Sequence, residues 1–138
     1  MNTQRIIVAA IAAIGLAGAA HAQETKLAAH LMGSATADPD GMGHATFKVD
    51  TAKNEVCYDL AVEKIAPATM AHIHKGAAGA SGPPVVMLAK PDAAGKAKGC
   101  ATAAADVVKD IAANPANYYV NVHNAEFGGG AIRGQLSK

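Results

Sequence analysis

"HATFKVDTAKNEVCYDLAV", His44 to Val62, alternates apolar and polar residues on either side of a short polar break. Ala45, Phe47 and Val49 fall on one side of its first half, with His44, Thr46 and Lys48 on the other. In its second half Val56, Tyr58, Leu60 and Val62 oppose Cys57 and Asp59. Successive side chains of an extended chain point to opposite sides, so this period of two predicts strands buried on one face. Asp38 to Gly43 and Thr51 to Asn54 are the turns around them, rich in residues that tolerate tight or left-handed backbone.

Outward from this stretch, further strands are predicted at Lys26–Met32, Met70–His74, Pro84–Leu88, Tyr118–His123 and Ala131–Leu136. "KGAAGASGPP" (Lys75–Pro84) and "AKPDAAGKAKG" (Ala89–Gly99) are small, glycine-bearing and polar, and are expected as surface loops. One segment breaks the alternation. In "TAAADVVKDIAANP" Ala104, Val107, Val108 and Ile111 recur at helical spacing, which predicts a short helix near 103–113, with Thr102 as its cap and Pro115 just beyond its end. Many short strands with a single helix define an all-β chain, an antiparallel β-sandwich or partly closed barrel.

The N-terminus reads differently. "MNTQRIIVAAIAAIGLAGAAHAQ" has a short polar start with Arg5, an apolar run and the small-x-small box Ala20-His21-Ala22, the pattern of a secretory signal peptide over residues 1–22. Residues 23–138 are then the mature domain, and the location is periplasmic or secreted. No cysteine stands at the cleavage position to carry a lipid. No later run is long enough to cross a membrane as a helix. Without Arg5 the twelve basic residues fall to eleven, equal to the eleven acidic ones and scattered among them, so a nucleic-acid partner is not expected.

Cys57 and Cys100 both lie in the exported part, where oxidising conditions favour a disulfide between them. Two free thiols and a copper-thiolate site are the weaker alternatives.

The histidines carry the chemistry. In "MAHIHKG", Met70 to Gly76, His72 and His74 project from one face of a strand and Ile73 from the other. In "YYVNVHN" Tyr119, Asn121 and His123 share one side and Tyr118, Val120 and Val122 the other. With the branched aliphatics facing the core, all three histidines leave it on the outward side. If the two strands are neighbours, three imidazoles converge. Imidazole suits copper and zinc, and three of them leave an open position for water or a small oxidant. Exposed strand histidines are the plain alternative. His30 and His44 are weaker candidates to complete such a site. Met32, Met42, Met70 and Met87 suit Cu(I) chemically, but scattered methionines are more often core filler.

"AHIHKGAAGASGPPVVML", followed by "YYVNVHNAEFGGGAIRGQL", resembles the chordin-type (CHRD) domain, which also occurs as a stand-alone exported bacterial protein. "GMGHATFKVD" and "VCYDLAV" resemble its front half, so the likeness spans essentially the whole mature chain. It departs at Ala131, where the family commonly has Glu, and at "NAEF"; the role of the missing carboxylate is then either vacant or taken by Glu126. The resemblance implies an immunoglobulin-like or superoxide-dismutase-like sandwich, and it implies no common reaction. A weaker likeness is to the copper half of Cu,Zn superoxide dismutases. It implies copper on His72, His74 and His123, with Arg133 attracting a small anion; the zinc half has no match.

Arg133 also has a structural reading, pairing with Asp59 or Glu126, and Asn121 has one as an orienter of a loop. The glycine loop Gly76 to Pro84 lacks the ending of a phosphate-binding loop, and Ser81 has no triad around it. Three functional readings follow. The chain is a copper-binding module with zinc as the alternative ion, or a structural or adhesive domain, or a copper-only oxidoreductase acting on superoxide.

Overall fold

The computed structural model describes residues 24–138, and the segment read as a signal peptide lies outside them. The strands are β1 (Glu24–Met32), β2 (Met42–Asp50), β3 (Glu55–Glu63), β4 (Ala68–Lys75), β5 (Pro84–Leu88), β6 (Lys96–Thr102), β7 (Tyr118–Asn124) and β8 (Ile132–Gln135). An α-helix, α1 (Ala105–Ala113), and a 3-10 turn at Pro115–Asn117 join β6 to β7.

All pairings are antiparallel, in one sheet of order β5-β4-β7-β8-β1-β2-β3-β6. The sheet curls until its two edges, β5 and β6, approach each other. Its halves therefore face across one core, as in a sandwich closing toward a barrel. The inner side carries the residues that alternation predicts: Phe47 and Val49 from β2, Val56 and Leu60 from β3, Ile73 from β4, Val120 and Val122 from β7, all buried. Val108 and Ile111 of α1 are buried with them.

Three details differ from the sequence reading. Lys96–Thr102, whose first four residues were expected in a loop, is strand β6. Its alternation is intact, but its inward residues are alanine and glycine, which give little hydrophobic contrast. It is held by full pairing to β3, by the Lys98–Asp59 ion pair at 3.4 Å and by the disulfide between the directly opposed Cys57 and Cys100. Thr102 does not cap the helix. It ends β6, and Ala104 stands at the N-cap with no side-chain hydrogen bond. Finally, β2 begins at Met42, inside the segment read as a turn, which brings Met42 opposite Met32.

Candidate metal centre

β4 and β7 are direct neighbours, and their register sets Met70 against His123, His72 against Asn121 and His74 against Tyr119. Directly opposed residues point to the same side of a sheet, so these six share the outer face while Ile73, Val120 and Val122 fill the core. His72, His74 and His123 thus meet. Their ring centroids lie 5.5 Å (72–74), 5.0 Å (72–123) and 5.7 Å (74–123) apart. One nitrogen from each ring falls within 4.8 Å of the others, a set that could hold a metal ion. Nδ1 of His72 stands 3.2 Å from Nε2 of His123. Two nitrogens bound at about 2.0 Å on tetrahedral corners would stand about 3.3 Å apart, so this pair is already at coordinating distance.

The outer face is covered here, contrary to a plain exposed strand. The glycine loops after β4 and β7 fold back over it, leaving His74 8% and His123 6% exposed. Each loop supplies a carbonyl that fixes a ring. Nδ1 of His74 donates to the Gly82 carbonyl and Nδ1 of His123 to the Gly128 carbonyl, both at 2.9 Å. In a neutral ring that bond leaves Nε2 as the lone-pair nitrogen, aimed into the cluster. His74 Nε2 is buried and has no hydrogen-bond partner. A buried nitrogen without a partner costs free energy, and a cation at the cluster centre would satisfy it.

Burial holds the His72 imidazole below its usual pKa, and the neighbouring His123 and His74 lower it further. Burial also lowers His74; the Gly82 carbonyl opposes this, while His123 and Arg133 add to it. Both rings are therefore neutral at neutral pH, the form that binds a metal.

The loops are locked by close approaches. A Cβ on Gly82 would sit 1.7 Å from the Lys75 carbonyl oxygen, so only glycine brings this carbonyl onto His74. Gly130 has φ +126°, and a Cβ there would meet the Asn121 amide oxygen at 2.2 Å. Asn121 donates from its amide to the Gly129 carbonyl at 3.2 Å, the loop-orienting role read from the sequence.

Arg133 differs from its structural reading, because it pairs with neither carboxylate: Asp59 is engaged by Lys98, while Arg133 lies over the Tyr119 ring at 3.7 Å and donates to the Ala80 carbonyl at 2.8 Å. His74 stacks on the same tyrosine from β4, at 4.9 Å and 13°. β4 and β8 flank β7, so the tyrosine lies between imidazole and guanidinium. Tyr119 also accepts the Gly82 N–H at 3.2 Å. The tyrosine and the two glycine carbonyls escaped the sequence reading; the glycine-bearing loops that follow β4 and β7 were their only signal.

His30 and His44 lie on β1 and β2, apart from this cluster. The methionines are not core filler: Met32, Met42, Met70 and Met87 are the large hydrophobic residues left exposed among those described. Both cysteines are in the disulfide, which removes the free-thiol and copper-thiolate alternatives.

Fold and site together define an all-β domain of one antiparallel sheet with a covered trio of histidines on its outer face. Its family follows from comparison: the CHRD domain model matches residues 27–136, and the chain belongs to that family. Neither the curated proteins nor the solved structures contain a match to the chain.

Proposed function

We propose that this CHRD-domain protein is an exported copper-binding module that holds its metal on His72, His74 and His123. The observation that carries the reading is the buried, unpartnered Nε2 of His74, held toward two neighbouring ring nitrogens by a carbonyl behind its own ring. Three imidazoles suit copper, which stands above zinc in affinity for such nitrogen sites. Soft donors stand beside them, since Met70 lies opposite His123 and Met87 opposite His72. Such a site would serve copper storage, delivery or detoxification. Export rests on the signal-like residues 1–22 and on the Cys57–Cys100 disulfide, which belongs to an oxidising compartment. Among the described residues no helix is long and apolar enough to cross a membrane. A superoxide-directed activity has less support, because Arg133, its anion-attracting group, is stacked on Tyr119 and bonded to Ala80.

The test is titration of the purified domain with Cu(II), followed by calorimetry and by nitrogen hyperfine structure in electron paramagnetic resonance. One equivalent on imidazole nitrogens is expected, and the variant His72→Ala/His74→Ala is expected to lose it. Undiminished binding at that nitrogen-ligated site in the double variant would overturn the assignment.

A further inference from the structure

A second group of metal-ligating side chains lies on the outer face of the β1–β2 hairpin. His30 is paired directly with His44, and Met32 with Met42. All four are exposed, while the intervening Leu31 is buried on the core side. The imidazoles are 4.9 Å apart between centroids and inclined at 50°. Directly opposed residues have Cβ atoms roughly 5 Å apart, and successive outward residues on one strand about 7 Å. Methionine has three rotatable bonds with which to close that span. Ala61 stands opposite His44 and Glu63 opposite Met42, and the small alanine leaves room beside the rings. The result is a shallow groove of about 470 Å³ lined by the two histidines and two methionines together with Ala61 and Glu63.

The rest of this hairpin face is ordinary. Glu24, Lys26, Ala28, Thr46, Lys48 and Asp50 occupy its other outward positions. Exposed thioethers at two opposed positions gain nothing from burial, so the hydrophobic effect does not explain them. Two imidazoles, which are borderline donors that take copper, stand with two soft thioethers, and the thioethers tilt the set toward a monovalent soft cation over hard divalent ones.

We propose that His30, His44, Met32 and Met42 form a second site, specific for Cu(I), on the open face of the β1–β2 hairpin. It shares no ligand with the His72, His74 and His123 cluster and does not depend on that reading. The two lie along one row of the sheet, from Met32 through Arg133 and Asn121 to His72, three strand spacings or roughly 14 Å apart.

Ag(I), a redox-inert ion of the same charge and softness, is the probe. The protein carries ¹³C-methyl methionine, and the methyl signals are followed in two backgrounds, unaltered and His72→Ala/His74→Ala. In both, Ag(I) is expected to shift the Met32 and Met42 methyls, whereas Zn(II) leaves them in place. His30→Ala/His44→Ala is expected to weaken that Ag(I) site by at least about tenfold. The substituted side chains are exposed, and the remaining methyl signals report that the variants are folded. Unmoved Met32 and Met42 methyls, or shifts that disappear when His72 and His74 are replaced, would overturn the proposal. Failure of the three-histidine cluster alone would leave these shifts intact.

Discussion

Replacing both halves of the Cys57–Cys100 bridge by alanine isolates what a covalent tie contributes to this sheet. The bridge spans 43 residues of chain and joins directly opposed positions on β3 and β6. Cys57 is half-buried and Cys100 exposed, so the substitutions remove little packing. What changes is the freedom of the unfolded chain. A loop of that length corresponds to about 13 cal/mol/K of lost entropy, or about 4 kcal/mol at room temperature. A chain of about 115 ordered residues unfolds with roughly 0.24 kcal/mol/K of entropy, so 4 kcal/mol converts to a fall in Tm of about 16 °C. Thermal unfolding followed by circular dichroism in the far ultraviolet compares Cys57→Ala/Cys100→Ala with the oxidised protein. Because the three-histidine cluster sits on β4 and β7, away from β3 and β6, copper stoichiometry is expected to survive below the lowered Tm. A fall smaller than about 4 °C, equivalent to about 1 kcal/mol, would refute the chain-entropy reasoning for this bridge.

Copper that binds only the folded protein adds about 2.7 kcal/mol when free metal stands at about a hundred times its Kd. Tm is then expected to rise by about 11 °C, and calorimetry of His72→Ala/His74→Ala with and without metal should show no such rise for that site. Gly130→Ala drives a methyl into the Asn121 amide and strains a φ of +126°. It is expected to loosen the loop that holds His123 through Gly128, weakening copper by about tenfold to a hundredfold in a competition titration, with the far-ultraviolet spectrum retained. The pKa of His72 and His74 is lower in the folded protein than the ordinary 6.5. Between the folded value and about 6.5 the unfolded chain therefore binds more protons. Stability should be level above about 6.5 and decline as pH falls below it, and urea midpoints should show a shallower decline in His72→Gln/His74→Gln. Asp110 titrates in another window. Its carboxylate is held below 3.8, first by the Tyr118 hydroxyl and then by Asn114 and Lys75, so its contribution is lost only at more acid pH.

Much of the architecture was legible because strand periodicity is local. The alternations at 44–50 and 56–62 named their inward residues correctly, and Phe47, Val49, Val56 and Leu60 are core. His-x-His at 72 and 74 guaranteed a common face, whatever the strand paired with. β6 was missed for an equally local reason. Ala97, Gly99 and Ala101 occupy its inward positions, and small side chains barely distinguish a buried face from a loop.

The chain by itself determined which side chains share a face, since that depends only on the two-residue repeat of extended backbone. It could not determine which strands adjoin, because pairing joins residues far apart in the chain and leaves no signature in either segment. Only the tertiary structure set β7 between β4 and β8. That placement brought His123 to His72 and His74, put Tyr119 between His74 and Arg133, and laid the Gly82 and Gly128 carbonyls behind two of the rings. The pairing of β1 with β2 likewise set Met32 opposite Met42 and His30 opposite His44, which neither segment shows alone. A carbonyl's position over a ring depends on the path of a whole loop, which is decided by packing.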